Sequence, residues 1–409
     1  MSEPWKRARL GDVCRVIPGY AFKSSDWQAE GIPVVKIKNI TTDNAVDLTE
    51  TDCVPESVLT PKLQKFVLND GDILLAMTGA TAGKVGKVRT KRPILLNQRV
   101  AKIAPVEADH GFIWSVVSSQ EYQEKFFYLA DGAAQPNMSG GQIERLEIPC
   151  PPLPVQRRIA GILSAYDELM ENSQRRIRLL EAMARALYRE WFVHFRFPGH
   201  EKHPRVATPL GDIPQGWEVK SIQQFGSVIT GKTPSKANAD FYGDDVPFVK
   251  TPDMHGNMFI LGTSDCLSTA GAESQANKTL PAGSICVSCI GTIGVVSITT
   301  EDCQTNQQIN SVVLANPASR EFLFLRLQDA KQTLENLGAN GATMGNVNKG
   351  KFEAMEIVCP SDDVLARYHR LVEPMFSEIL SLFRQIQNLR RTRDLLLPRL
   401  LSGQVVLES

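Results

Sequence analysis

The sequence predicts a mixed α/β fold, with two tandem duplicated α+β domains separated by two long helices that form an antiparallel coiled coil. Three observations predict it. Segments of the first half return in the second, in one order, at offsets of 209 to 214 residues. An apolar residue recurs with a 3.5-residue period near the end of each half. Short β-rich runs punctuated by glycine open each half. The expected boundaries are residues 1–155 for the first domain, 156–193 for a central helix and 194–214 for a linker. Residues 215–361 are then the second domain, and 362–409 a C-terminal helix.

The duplication is carried by particular segments. Leu68–Gly79 returns as Leu280–Gly291, and Ile17-Pro-Gly19 as Ile229-Thr-Gly231, both at 212. Asn97-Gln98 returns as Asn306-Gln307 and Glu147–Pro151 as Glu356–Pro360, both at 209. Ile32–Lys36 matches Val246–Lys250 at 214. A period this long is a repeated domain, not a solenoid. Within each copy, Asp72–Met77 and Ser284–Cys289 read as strands ending in tight turns. Mixed α/β segments follow around Phe112–Tyr128 and Arg320–Leu337.

Each half closes on a helix. In the first, Ile159, Leu163, Tyr166, Met170, Ser173, Ile177, Leu180, Ala184, Leu187 and Trp191 alternate steps of four and three. Adding 209 to each gives Tyr368, Val372, Met375, Ile379, Leu382, Ile386, Leu389, Arg393, Leu396 and Leu400. Ser173 and Arg393 are the strongly polar members of the two stripes. Two amphipathic helices each lying on its own domain would be the simpler arrangement. A helix of this length runs about 50 Å, however, more than one such domain could cover. The stripes are therefore expected to face each other. Pro374 should kink the second helix or start its regular part.

Composition bounds the function classes. Hydrophobic residues make up 43% and charged residues 22% of 409, which supports real cores and excludes a disordered chain. No apolar run approaches the roughly 20 residues of a membrane span, and the first residues lack a signal-peptide pattern. Eight cysteines are too few for a disulfide framework, so a reducing, cytoplasmic setting is expected. Lys+Arg and Asp+Glu balance at 45 each, but unevenly along the chain. Residues 1–150 hold 18 basic and 18 acidic side chains, 151–205 hold 10 and 6, 206–360 hold 10 and 15, and 361–409 hold 7 and 6. A polyanion would have to be held by a local patch, and Lys84–Lys102 packs seven cations and no acid into nineteen residues.

Catalytic motifs fail on context. Gly226–Thr233 fits the Walker A pattern, but Pro234 follows at once and no periodic helix continues, so a turn between strands is expected. Cys286-Val-Ser-Cys289 lies in an apparent strand and reads as buried thiols, while His200 and His203 read as solvated linker residues. Neither a nucleophile elbow nor an adenine-methylase tetrapeptide occurs, so no enzyme activity and no metal is expected of this chain. Binding chemistry remains. Lys84, Lys87, Arg89, Lys91 and Arg92 could neutralise phosphates, and Asn97, Gln98 and Arg99 could pair with base edges. The alternative is a solvated basic face with Asn97-Gln98 as a structural turn, and Asn306-Gln307 is consistent with either. Two polar loops, Ala134–Gly141 and Ala342–Gly350, add Asn137, Ser139, Asn346, Asn348 and Lys349, and Thr292 completes the candidates for DNA contact.

Ile148-Pro-Cys-Pro-Pro-Leu-Pro-Val-Gln156-Arg-Arg-Ile, the run Ala186–Val193, Pro214-Gln-Gly-Trp-Glu-Val219 and the terminal Leu395–Gly403 complete a pattern. It resembles the specificity subunits of type I restriction-modification systems, over the whole chain. The second half departs from the pattern, with Cys359-Pro-Ser-Asp-Asp-Val-Leu where the first has the Pro-rich Gln motif. The resemblance implies two target-recognition domains, each reading one half of a bipartite site in double-stranded DNA. It implies helices that set the spacer and dock two methylation subunits, with restriction subunits joining the complex. S-adenosylmethionine, ATP and Mg would then sit on those partner subunits, none on this chain. A two-site protein adaptor that never touches DNA is the other class the residues allow, slightly favoured by the acidic second half.

Overall fold

The computed structural model describes residues 5–130, 137–339 and 345–405. It divides into two compact units, Met1–Glu171 with Ile386–Ser409, and Asn172–Gln385. Each unit contains one globular domain and the adjoining stretches of two continuous helices, Leu153–Tyr188 and Asp362–Leu401.

In the first unit the main sheet has the antiparallel order Cys14–Pro18, Val100–Pro105, Ile73–Ala76, Val85–Lys87. A second sheet, Cys53–Val54, Ile32–Val35, Ile94–Leu96, Val67–Leu68, has one parallel pair, Ile32–Val35 with Ile94–Leu96. Arg7–Arg9 pairs with Glu147–Pro149 and ties the domain's beginning to its end. The second unit repeats this plan. Gly226–Thr230, Ile309–Leu314, Ile285–Ser288 and Val296–Thr299 follow the same antiparallel order, extended by the parallel edge strand Phe259–Ile260. Val246–Val249 runs parallel to Gln304–Thr305, and Glu218–Ser221 pairs with Glu356–Cys359. Even the register returns: Ile73 stands opposite Lys87 and Ile103, and Ile285 opposite Ile298 and Val312.

These strands form because β-branched and aliphatic residues alternate with turn glycines, and all four residues of Ile73–Ala76 and of Ile285–Ser288 are buried. Removing such an aliphatic side chain from water stabilises the fold by about 1.5–3 kcal/mol. Helices His110–Val117 and Gln120–Leu129 cover the first sheet, and Arg320–Asp329 and Lys331–Gly338 the second. Asp109 and Ser119 cap the first pair through their side-chain oxygens.

Within each unit the two long helices pack antiparallel. In the first, Ile159 and Leu163 share a core with Leu397, Leu400 and Leu401. In the second, the Tyr368 hydroxyl donates to the Ala184 carbonyl at 3.3 Å, and Arg176 pairs with Glu378. Of the two stripes, Ile159, Leu163, Ser173, Ile177, Ala184, Trp191, Tyr368, Val372, Ile379, Leu382, Ile386 and Leu400 are buried. Tyr166, Met170, Leu180, Leu187, Met375, Leu389, Arg393 and Leu396 are half-buried. Both polar members have partners: Ser173 Oγ donates to Gln385 Oε1 at 3.4 Å, and Arg393 donates to Asp167 at 2.8 Å. The C-terminal helix begins twelve residues before Pro374 and runs through it, so that proline does not start the regular part. Residues 205–214 form a two-stranded hairpin, Arg205–Thr208 with Gly211–Pro214, and Phe197 is buried against Trp217.

Candidate nucleic-acid interface

At one end of each main sheet, four loops are pinned together by backbone hydrogen bonds in the same pattern. The first pin is a glycine. Gly19 donates to the Val100 carbonyl and Gly231 to the Ile309 carbonyl, at 3.0 and 3.1 Å. A Cβ on Gly19 would lie 2.3 Å from the Asn97 carbonyl oxygen, and one on Gly231 would lie 2.2 Å from that of Asn306. Only glycine admits this approach. The second pin is the asparagine itself. Asn97 and Asn306 are buried, and each side-chain oxygen accepts the backbone N–H two residues on, at 3.3 and 3.1 Å. That is an Asx turn.

The third pin joins the strand end to the turn. Met77 donates to the Arg99 carbonyl at 2.9 Å, as Cys289 does to the Gln308 carbonyl at 2.7 Å. The fourth brings in the polar loop. Met138 donates to Met77 and Val347 to Cys289, with bridges Thr78 to Asn137 and Ile290 to Asn346. Ser139 and Asn348 then cap short helices, accepting from Gln142 and Lys351. Residues 134–136 and 342–344 of the two polar loops lie outside the described residues.

This framework sorts the sequence-derived candidates. Gln98, Arg99 and Asn137 in the first domain, and Thr292, Gln307 and Asn346 in the second, are exposed and gathered at the loop end. Lys84 is half-buried at the same end, where its carbonyl accepts the Ala76 N–H at 2.9 Å. Lys349 is exposed beside this face, within 3.4 Å of Glu353. Asn97, Asn306, Ser139 and Asn348 spend their side-chain oxygens on turns and caps.

The rest of the basic run is elsewhere. Strand Val85–Lys87 carries the chain away from the loop end, to the turn around Asp70–Asp72. Lys87 is half-buried with its ammonium 4.6 Å from the Trp114 ring centroid, and burial lowers its pKa. Arg89 pairs with Asp70 at 3.6 Å and Glu171 at 3.2 Å, and Lys102 with Asp72 at 2.7 Å. Lys91 and Arg92 are exposed at this far end. The structure thus divides a continuous run of cations between two ends of one sheet.

The family model described as "Type I restriction modification DNA specificity domain" matches residues 2–182 and 214–364, one match on each copy of the repeat. The chain belongs to that family. It is similar to the HindI specificity subunit of Haemophilus influenzae, with 33% identity over 353 residues covering 72% of this chain and 77% of that one. It is also similar to the MjaIX specificity subunit of Methanocaldococcus jannaschii, at 24% over 420 residues, covering 100% and 95%. Among solved structures, the S subunit of a type I restriction-modification system from M. genitalium shares the fold, with a TM-score of 0.60 over 98% of this chain and 96% of that one, at 14% identity.

As a DNA specificity subunit of a type I restriction-modification system, the chain is the non-catalytic component. Gly226–Thr230 is a strand and Gly231 a close-packing residue, which removes the Walker A resemblance. Cys286 and Cys289 are buried thiols, pushed up by burial to about 12 and about 11. Among the described residues no group of three or more His, Cys, Asp or Glu could hold a metal, and no helix is long and apolar enough to cross a membrane. Sequence reasoning passed over Tyr20, Thr78, Lys232 and Gln308, which the framework places at the loop ends. The signal was present for two of them, since Tyr20 and Lys232 directly follow the repeated glycines.

Proposed function

We propose that each loop end reads one half of a bipartite, asymmetric site in double-stranded DNA. The observation that supports this is one backbone framework built twice in a DNA specificity subunit, with Gln98 and Asn137 repeated as Gln307 and Asn346 but Tyr20 and Arg99 replaced by Lys232 and Gln308. Gln98, Asn137, Thr292, Gln307 and Asn346 have the donors and acceptors that base edges require. Arg99, Lys84, Lys232 and Lys349 supply charge for phosphates. The far-end cations Lys87, Arg89, Lys91 and Arg92 contribute through the field of the domain.

In this reading the helix pair sets the spacer and docks two methylation subunits, with restriction subunits joining through the complex. S-adenosylmethionine, ATP and Mg belong to those partners. A duplicated chain with an approximate two-fold suits two copies of one partner. Exchanging residues 215–361 for the matching segment of a relative, followed by methylome sequencing in a host that also expresses the methylation subunit, tests it. One half of the modified site should change and the other stay. A change in both halves would refute independent reading. Matched heptads inserted into both helices should alter only the spacer, and an unaltered spacer in a folded variant would end that part of the proposal.

A further inference from the structure

The contact of each domain with its own stretch of helix is built from opposite chemistry at equivalent positions. In the first unit Trp114 Nε1 donates to Asp167 Oδ2 at 3.0 Å, and Arg393 Nη1 donates to Asp167 Oδ1 at 2.8 Å. Lys87 stands over the same Trp114 ring. The helix starts at His110 and Arg320, the strand register and the 209-residue offset of the long helices carry these positions to Phe324, Ile298, Phe376 and Ala184. There Phe324 and Phe376 pack edge to face at 5.6 Å, and Phe376, Ala184 and Ile298 are buried. One turn away the polarity reverses. Gly111 lies against Ala160 in the first unit, so closely that a Cβ would be 3.0 Å from the alanine methyl. Their equivalents are Glu321 and His369. Glu321 is fully buried, 2.6 Å from His369 Nδ1 and 2.7 Å from Arg320 Nη2.

We propose that these two seats are chemically keyed, so that each recognition domain is accepted only on its own stretch of helix. Asp167 with Arg393, and Glu321 with His369, are then the positioning residues that determine which half of the DNA site each domain reads. The last clause rests on the reading under Proposed function; the keying does not. The physical reason is the cost of a mismatch. The second domain on the first seat would set Phe324 against Asp167 and remove the indole donor. It would also bring Glu321 to Ala160, a buried carboxylate with no imidazole beside it. The first domain on the second seat would aim the Trp114 N–H at Phe376 and leave a void between Gly111 and His369.

A full-length chain in which residues 7–149 are replaced by a second copy of 218–358 tests the key. On the native seat it should unfold at a midpoint several degrees below wild type and be cut readily by protease. With the seat recoded by Ala160→His, Asp167→Phe and Arg393→Ala, midpoint and protease resistance should return toward wild type. A recoded chain no more stable than the unrecoded one would overturn the keying. As a second measurement in the otherwise native chain, Asp167→Ala and Arg393→Ala should each lower the midpoint, and the double variant should lose less than the sum. Additive losses would overturn the Asp167–Arg393 half of the key. With its methylation subunit, the stable recoded chain should modify a site in which one half occurs twice. Restored stability without that modification would leave the keying standing and count against the proposed reading of DNA.

Discussion

The two loop ends share a backbone and the exposed pairs Gln98/Gln307 and Asn137/Asn346, and differ at the positions beside them. Gly19 and Gly231 make the same close approach, and Asn97 and Asn306 the same buried turn. Beyond the turn, the first domain presents Gln98-Arg99 and the second Gln307-Gln308. After the first glycine stands Tyr20, half-buried with its ring 5.0 Å from Phe22; after the second stands an exposed lysine, Lys232. Folding constrains what holds the loops together and leaves free what they display. If each loop end reads DNA as proposed, its target can change without the frame being rebuilt.

The sharpest test of that division is on the frame. Gly231→Ala would put a methyl 2.2 Å from both the Asn306 carbonyl oxygen and Thr305 Oγ1. Backbone would have to move, at a cost of about 3 kcal/mol. Gly19→Ala should behave alike, since its contacts are also backbone atoms. Denaturant unfolding should show the loss with no change in slope. A glycine variant of native stability would mean that the loops are not pinned.

Next come the tips. Gln98→Ala and Gln307→Ala remove exposed side chains and should leave stability within about 0.5 kcal/mol of wild type. Each should relax preference at one base pair in its own half-site, by about 1–3 kcal/mol. Competition binding of the assembled complex to single-base variants of the site measures this. Loss of preference in the other half-site would break the comparison.

How much of this was legible follows from the range of the interactions. The duplication, the strands Ile73–Ala76 and Ile285–Ser288 and the two long helices stood in the sequence, because periodicity and repeat offsets are local signals. Asn97-Gln98 was visible as a repeated pair, yet sequence gave no means of separating a buried turn residue from an exposed tip one position later. The basic run was misleading in a specific way. A strand moves about 3.3 Å per residue, so Val85–Lys87 carries Lys84 and Arg89 to opposite ends of one sheet. Asp167 was hidden differently. Its partners, Trp114 and Arg393, are 53 and 226 residues away, and Arg393 looked like a flaw in an apolar stripe.

Arg99 gives a smaller effect than the glutamines. It is exposed at the loop end, and its backbone is already held by Met77 and Asn97. Arg99→Ala should weaken binding to all duplexes alike and flatten the dependence of log K on log salt by about 0.9. An unchanged slope in a salt titration would place its guanidinium off the phosphates.

The smallest effect belongs to the far end of the same run. Arg89 is as basic as Arg99 and only ten positions away. Its guanidinium, however, faces Asp70 and Glu171, on the side of the central helix. Both pairs are about half exposed, so together they contribute no more than about 1 kcal/mol to stability. Arg89→Ala should therefore leave the salt slope unchanged and shift overall affinity by less than twofold, through the lost field of one distant charge. The same titration run on Arg99→Ala and Arg89→Ala side by side separates the two ends of the sheet. Equal slopes lost at both positions would mean that DNA reaches the far end as well, and the loop end would no longer be the whole of the interface.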